Sequence, residues 1–125
     1  MALYLNELSS KIIGAAIEVH KALGPGLLES AYEECLCIEL DSRSLAFQRQ
    51  TNLPIEYKGH CIDCAYRIDL LIEDAIIVEL KAVTNIEPIH KAQLITYLKL
   101  LNKELGLLIN FNVPVLKDGI IRLAN

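Results

Sequence analysis

The stretch Tyr66 to Val83, Y-R-I-D-L-L-I-E-D-A-I-I-V-E-L-K-A-V, constrains this chain more than any other. Two apolar runs flank Glu73-Asp74-Ala75, so the stretch reads as two strands joined by a tight turn. Each strand carries charge where a buried strand has none. Asp69 lies within the first run, and Glu79 and Lys81 lie within the second. Strand side chains alternate between faces, so Glu79 and Lys81 point the same way. A register folded about Asp74 sets Asp69 opposite Glu79. The two carboxylates then face each other at roughly 5 Å between Cβ atoms, with the Lys81 ammonium one pleat away.

Like charges placed opposite each other destabilise a strand pair, and burying them costs more unless something compensates. A divalent cation is the usual compensation, and Mg²⁺ is commonly held by one or two carboxylates plus water and substrate phosphate. Two other readings stand beside the metal site. One is a structural ion pair, Glu79 with Lys81 or Asp69 with Arg67. The other is a frayed edge hairpin with solvated charges, against which the apolar density of both runs argues.

The length of 125 residues fits a single domain spanning 1–125, with 53% hydrophobic and 22% charged residues giving a globular balance. No apolar run approaches a membrane span, so no membrane partner is expected. Met1-Ala-Leu-Tyr-Leu-Asn-Glu lacks the basic segment of a signal peptide, which places the protein in the cytoplasm by default. The net charge of −4, from 12 basic and 16 acidic residues, counts against broad non-specific nucleic-acid binding. A bound divalent cation would reverse the local field around acidic ligands. Cys35-x-Cys37 and Cys61-x-x-Cys64 are spaced for divergence on a helix and a strand, so they read as reduced thiols; zinc would require a loop at either pair.

In chain order, Leu5, Leu8, Ile12, Ala15, Ala16, Val19 and Leu23 mark an amphipathic helix that stops at Gly24-Pro25-Gly26. His20, near its end, reads as a surface or capping residue, with a phosphate contact as the alternative. A second helix is expected over about 27–44. Leu28, Ala31, Cys35 and Ile38 form its stripe, with Leu27, Leu36 and Leu40 beside it, and Glu33, Glu34, Glu39 and Asp41 form its solvated face. Glu29 suits the positive end of that helix dipole and shares a face with Tyr32. Residues 47–57 read as a strand interrupted by Pro54, 60–72 as the next, and 75–83 as the third. A third helix over 85–102 follows, with Pro88 in its first turn. Its stripe is Ile86, Ile89, Gln93, Tyr97 and Leu100. An apolar strand near 104–112 and a hairpin turn at Asp118-Gly119 close the chain. The order α-α-β-β-β-α-β with a final short strand makes a mixed α/β sandwich: a β-meander, a crossover helix and a further strand. Which helix covers which face is left open by chain order.

Three motifs in this order resemble those of the PD-(D/E)XK nuclease superfamily. They are Asp69 followed by Glu79-Leu80-Lys81, Gln93-x-x-x-Tyr97 as in the RecB and phage exonuclease-like branch, and Gly26-x-x-Glu29-x-x-Tyr32. The last is the name motif of the GxxExxY family, which the chain resembles over roughly residues 9–123. Ile68 stands where the superfamily's name has proline; that proline is not a ligand.

The resemblance implies a restriction-endonuclease-like fold and a metal-dependent phosphodiester hydrolase acting on DNA or RNA, DNA being favoured. It implies Mg²⁺ or Mn²⁺ held by Asp69, Glu79 and the Leu80 carbonyl, with Glu29, also in the metal set, reaching in to a metal-bound water or a second metal. Lys81 would orient the attacking water and stabilise developing charge. Gln93 would position the nucleophile or scissile phosphate, supported by Tyr97. The alternative is a catalytically silent module that keeps the fold and binds nucleic acid or another partner. Only Arg49, Arg67, Lys91, Lys99 and His20 are placed to make a basic groove, and a homodimer is one way for so small a nuclease to build one.

Overall fold

The computed structural model describes residues 2–62 and 66–125. Helix α1 (Ala2–Leu23) and helix α2 (Glu29–Ser42) precede strands β1 (Phe47–Asn52), β2 (Ile55–Tyr57), β3 (His60–Ile62), β4 (Arg67–Ile72) and β5 (Ile76–Lys81). Helix α3 (Pro88–Leu101), strand β6 (Leu105–Asn110), a 3-10 turn (Leu116–Gly119) and strand β7 (Ile120–Ala124) complete the chain. The main sheet has the order β1-β4-β5-β6-β7, and β2 and β3 form a separate two-stranded ribbon. All neighbours are antiparallel except β5 and β6, which run parallel across the α3 crossover. That is the expected meander, crossover helix and apolar strand.

Two layers of core answer the question that chain order left open. α1 and α2 pack on one face, where Leu8, Ile12, Tyr32 and Leu36 meet Leu70, Ile72, Val78, Leu80 and Leu107. α3 packs on the other, where Leu94, Tyr97 and Leu98 meet Leu71, Ile77 and Leu108. Strand β6, between β5 and β7, is buried along its whole length because helices cover both its faces. Gly106 admits α3 closely: a Cβ there would lie 3.0 Å from Leu94.

Several boundaries and faces differ from expectation. The strand read over 47–57 breaks at Leu53-Pro54, since proline has no ladder N–H to offer. The strand read over 60–72 is likewise two, β3 and β4. Asp118-Gly119 ends a 3-10 turn rather than forming a two-residue hairpin. The buried face of α2 is Tyr32, Leu36, Cys37 and Leu40; Leu28 and Ile38, placed in its stripe, are exposed. The error follows from counting Leu27 and Leu28 into the helix, when α2 begins at Glu29 and its apolar spacing starts at Tyr32. On α3 the buried set is Leu94, Tyr97 and Leu98, while Ile89 and Leu100 stay open.

His20 is also buried rather than on the surface. Its Nε2 lies 2.8 Å from the Val113 carbonyl and its ring tilts against Phe111, so it cannot serve a phosphate from there. Cys37 is buried, Cys35 half-buried and Cys61 exposed; Cys64 lies outside the described residues. Burial pushes the Cys37 thiol up to about 11, which suits an inert reduced thiol and not a metal-binding thiolate. Among the described residues no helix is long and apolar enough to cross a membrane.

Candidate functional site

The hairpin of β4 and β5 turns at Glu73 and Asp74, both at left-handed φ (54° and 51°), as a tight strand-joining turn requires. Lys103 straps the turn by donating from Nζ to the Asp74 carbonyl at 2.9 Å. The pairs Ile72 with Ile76, Leu71 with Ile77 and Leu70 with Val78 confirm a register centred on Asp74. The backbone ladder stops there, one step before Asp69 and Glu79.

Beyond that step, side chains stand in for backbone. The Asp69 N–H donates to Glu79 Oε2 at 2.7 Å, and the Leu80 N–H donates to Asp69 Oδ2 at 2.8 Å. The carboxylates do not merely face each other on one side of the pleat. They turn into the gap between diverging strands and hold its two edges. Each keeps one oxygen that no backbone N–H engages. A strand residue's N–H and C=O point toward the same neighbour, so the Leu80 carbonyl is turned to the Asp69 side as well.

The electrostatics follow from this crowding. Burial, then the Asp69 charge, pushes the Glu79 carboxyl up to about 8, against the smaller opposing pull of the Asp69 N–H and Lys81. Burial also raises Asp69, opposed by the Leu80 N–H. Among the described residues four ion pairs form, and none includes Asp69, Glu79 or Lys81. That removes the structural ion-pair reading of the motif. Lys81 is half-buried, and its strand is pinned by the Phe111 N–H on its carbonyl and by Asn110, which bonds both N–H and C=O of Val83.

Glu29 opens α2 and is exposed, close enough to raise both carboxyls through space. Yet no three acidic, histidine or cysteine groups converge tightly enough to cage a metal among the described residues. Glu29 stands in the first turn of α2, from where its charge reaches both carboxyls. The loop before it explains the rest of its motif. Gly26 takes φ 101°, a conformation that L side chains rarely adopt. Tyr32 is fully buried, stacks on Phe111 at 4.4 Å, donates to the Gly24 carbonyl at 2.6 Å and accepts the Leu27 N–H at 3.2 Å. Gly26 and Tyr32 thus set the loop from which Glu29 starts its helix.

Gln93 is half-buried and lines a groove with Tyr97 whose lining does not include Asp69, Glu79 or Glu29. The Tyr97 phenol is pushed up by burial, then by the charges of Glu79, Tyr66 and Asp69, and its ring packs in one cluster with Ile68 and Ile77.

Two residues escaped the sequence reading. Gln50 lies across from Asp69 in the β1–β4 register, at the one position where pairing lapses, with φ at 48°. Its Nε2 donates to Glu33 Oε1 at 2.8 Å and to Asp69 Oδ1 at 3.3 Å. Glu33, expected on a solvated face, also accepts from Arg49 Nη2 at 2.9 Å. The signal for Glu33 was present: it lies four residues after Glu29, on the same helix face. Nothing local marks Gln50. Arg49, expected to be free for a basic groove, is held by Glu33 and Glu34.

A mixed sheet with α1 and α2 on one face, α3 as crossover on the other, and an acidic pair where β4 and β5 diverge defines a restriction-endonuclease-like fold. The chain belongs to the PD-(D/E)XK nuclease superfamily, whose model matches residues 6–123. Members of that superfamily generally use divalent metals such as Mg²⁺, and the class implies nucleic-acid binding. No curated protein and no solved structure matches the chain at a significant level.

Proposed function

We propose that the chain is a metal-dependent nuclease of the GxxExxY type, with residues 1–125 forming one cytoplasmic nuclease domain that acts on DNA more readily than RNA. The observation that carries this reading is the acidic pair itself. Two carboxylates lie in a desolvated gap, each held by a backbone N–H, with no counter-cation in ion-pair range among the described residues. Burial and the Asp69 charge push the Glu79 carboxyl up to about 8, so without metal a proton relieves the pair, and a divalent cation is what would take that proton's place and hold both groups ionised. Hard oxygen donors and a backbone carbonyl fit Mg²⁺ or Mn²⁺, not zinc.

Asp69, Glu79 and the Leu80 carbonyl hold the ion in this reading. A bound Mg²⁺ supplies charge for the scissile phosphate and acidifies its water. The chain's own residues do the remainder. Lys81 orients the attacking water and meets the charge that develops on the phosphate oxygens. Glu29 and Glu33 face the far side of the site, where they orient water around the ion. Gln50 holds Asp69 in place. Gln93 positions the phosphate, and Tyr97 supports it from below. Water would attack the phosphorus in line and lose a proton to solvent as its O–P bond forms, while the P–O bond to the leaving oxygen breaks and that oxygen takes a proton from solvent.

A cleavage screen on single- and double-stranded DNA and RNA, with Mg²⁺, Mn²⁺ or chelator, tests the proposal. Metal-dependent cleavage lost in Lys81→Ala is expected. A chain that binds Mg²⁺ but cleaves nothing would move the assignment to the second reading, a silent nucleic-acid- or partner-binding module. That reading is favoured by two observations: among the described residues no third ligand side chain converges on the pair, and Arg49 is committed to Glu33 and Glu34.

A further inference from the structure

The groove that Gln93 and Tyr97 share has a volume of about 300 Å³, and most of its lining has no part in the chemistry above. Its walls are Leu53 and Ile55 on one side and Ile89, Ala92 and Leu100 of α3 on the other, with Tyr66 at the mouth. None of its nine lining residues is charged; the polar groups are Gln93, Thr96 and the two tyrosine hydroxyls. Ile89 is 69% exposed, Tyr66 46% and Leu100 41%, so the apolar surface continues outward. Large side chains left open together on one small protein mark a binding surface. Tyr66 is not a loose side chain on a free loop, since its carbonyl accepts the Leu53 N–H at 2.9 Å.

Two features of the surroundings choose the occupant. Tyr97 lines this groove and packs in one cluster with Ile68, the residue before Asp69, and Ile77 of β5, so the groove adjoins the strands that carry the acidic pair. The same neighbourhood is acidic, with Glu29 and Glu33 beyond the pair and Arg49 already neutralised. Phosphates are thus poorly held by the protein alone. The part of a nucleic acid that fits a neutral, aromatic-edged slot is a base. Resting on the nuclease reading above, we propose that this groove seats one unpaired nucleobase adjacent to the scissile phosphate, with Tyr66 stacking on it and Gln93 or Thr96 meeting its edge. The substrate class is then single-stranded nucleic acid or a frayed end. A base inside a duplex is already stacked and cannot enter without being extruded. Stacking on an aromatic side chain tolerates any base and contributes enough to replace missing phosphate contacts.

The test uses single-stranded DNA oligonucleotides carrying one 2-aminopurine, walked a position at a time. The full chain is titrated against them in Mg²⁺ and again in chelator. Quenching confined to one position relative to the cleavage point is expected, as is preference for the single strand over a blunt duplex of the same sequence. Replacing that one base by an abasic unit, or Tyr66→Ala, weakens binding by at least about fivefold. Tyr66→Phe restores it, because the ring and not the hydroxyl does the stacking. Mg²⁺ stabilisation of Tyr66→Ala matches wild type. Position-independent quenching, or equal cleavage of duplex and single strand, would overturn the base slot while leaving the nuclease reading intact. Absence of both cleavage and any Mg²⁺ response would remove the nuclease reading, and the base slot with it. If Tyr66→Ala instead converts a sedimenting dimer to monomer without changing oligonucleotide affinity, the groove is a contact between copies and the proposal fails.

Discussion

Asp69 and Glu79 look alike in sequence, yet the fold gives them different surroundings. Glu79 is the more buried and holds its proton to about pH 8; Asp69 accepts from Leu80 and from Gln50. Asp69→Asn keeps an acceptor for Leu80 while removing one negative charge. Stability without metal should rise or stay level, and Mg²⁺ stabilisation should shrink, since a ligand contributes only through its affinity for the native state. Thermal melts with and without Mg²⁺ check this. A loss of roughly 3–5 kcal/mol with no metal response would instead mark a broken structural pair. Glu79 makes a pH prediction whose sign can be worked out. Its folded value, about 8, lies above the ordinary 4.5. The folded chain therefore holds a proton that the unfolded chain has released. The stabilisation is fully present below about pH 4.5 and is lost as pH rises toward about 8. Metal-free melts of wild type should fall over that window relative to Glu79→Gln, and the difference should narrow when Mg²⁺ takes the proton's place. Parallel pH curves for the two proteins would show that Glu79 is not held protonated. At this scale the motif residues were legible because charge inside an apolar strand is conspicuous. Gln50 was not, because its left-handed backbone and its bridge from Glu33 to Asp69 exist only once β1 lies beside β4.

Among the elements, α2 shows how a motif can mix roles. Gly26 and Tyr32 build the loop, and Glu29 is what the loop delivers. Tyr32→Phe keeps the ring stacked on Phe111 but leaves the Gly24 carbonyl and the Leu27 N–H without their partner. We expect a cost of about 1–3 kcal/mol, the penalty for leaving a buried polar group unpaired. Cleavage should fall further than Mg²⁺ affinity, because Glu29 shifts while Asp69 and Glu79 do not. Calorimetric Mg²⁺ titration beside a cleavage assay separates the two; equal losses in both would show that Tyr32 acts through the whole core. The helices were found by their periodicity, but their buried faces were misplaced. On α2 the leucines just before the helix were counted into its stripe. On α3, Ile89 and Leu100 carry the spacing of a core face yet line an open groove, because the sheet beneath is covered by Leu94, Tyr97 and Leu98. Apolar spacing identifies a helix; it does not say which apolar residues a neighbour reaches.

Across the whole molecule, the acidic balance decides how nucleic acid could be held. Arg43, Arg49 and Lys103 are in ion pairs, and His20 is buried against Val113, which leaves Arg67, Lys91 and Lys99 of the expected basic set exposed. A plot of log affinity against log salt for single-stranded DNA should therefore be shallow, with a slope magnitude of about 2 or less, given about 0.7 per phosphate neutralised. Fluorescence anisotropy from low to high salt measures it. A steep slope would show that further exposed lysines, such as Lys11, Lys21 or Lys58, also reach the strand.

Although it missed the breaks that make β2 and β3 a separate ribbon, the chain's linear pattern was enough to determine the three helices, the order of the main elements, the hairpin register about Asp74 and the acidic motif on it, because strand alternation and helix spacing are local properties. Those features also carried the superfamily resemblance. Tertiary structure decided the rest. It set α1 and α2 against α3 across the sheet, ended the β4–β5 ladder one step before Asp69, and turned both carboxylates into the gap. It also brought Glu33 and Gln50 to the site while tying up Arg49. Each of these depends on which distant backbone and side-chain groups compete for one carboxylate, guanidinium or apolar face, and that competition begins only when the layers pack.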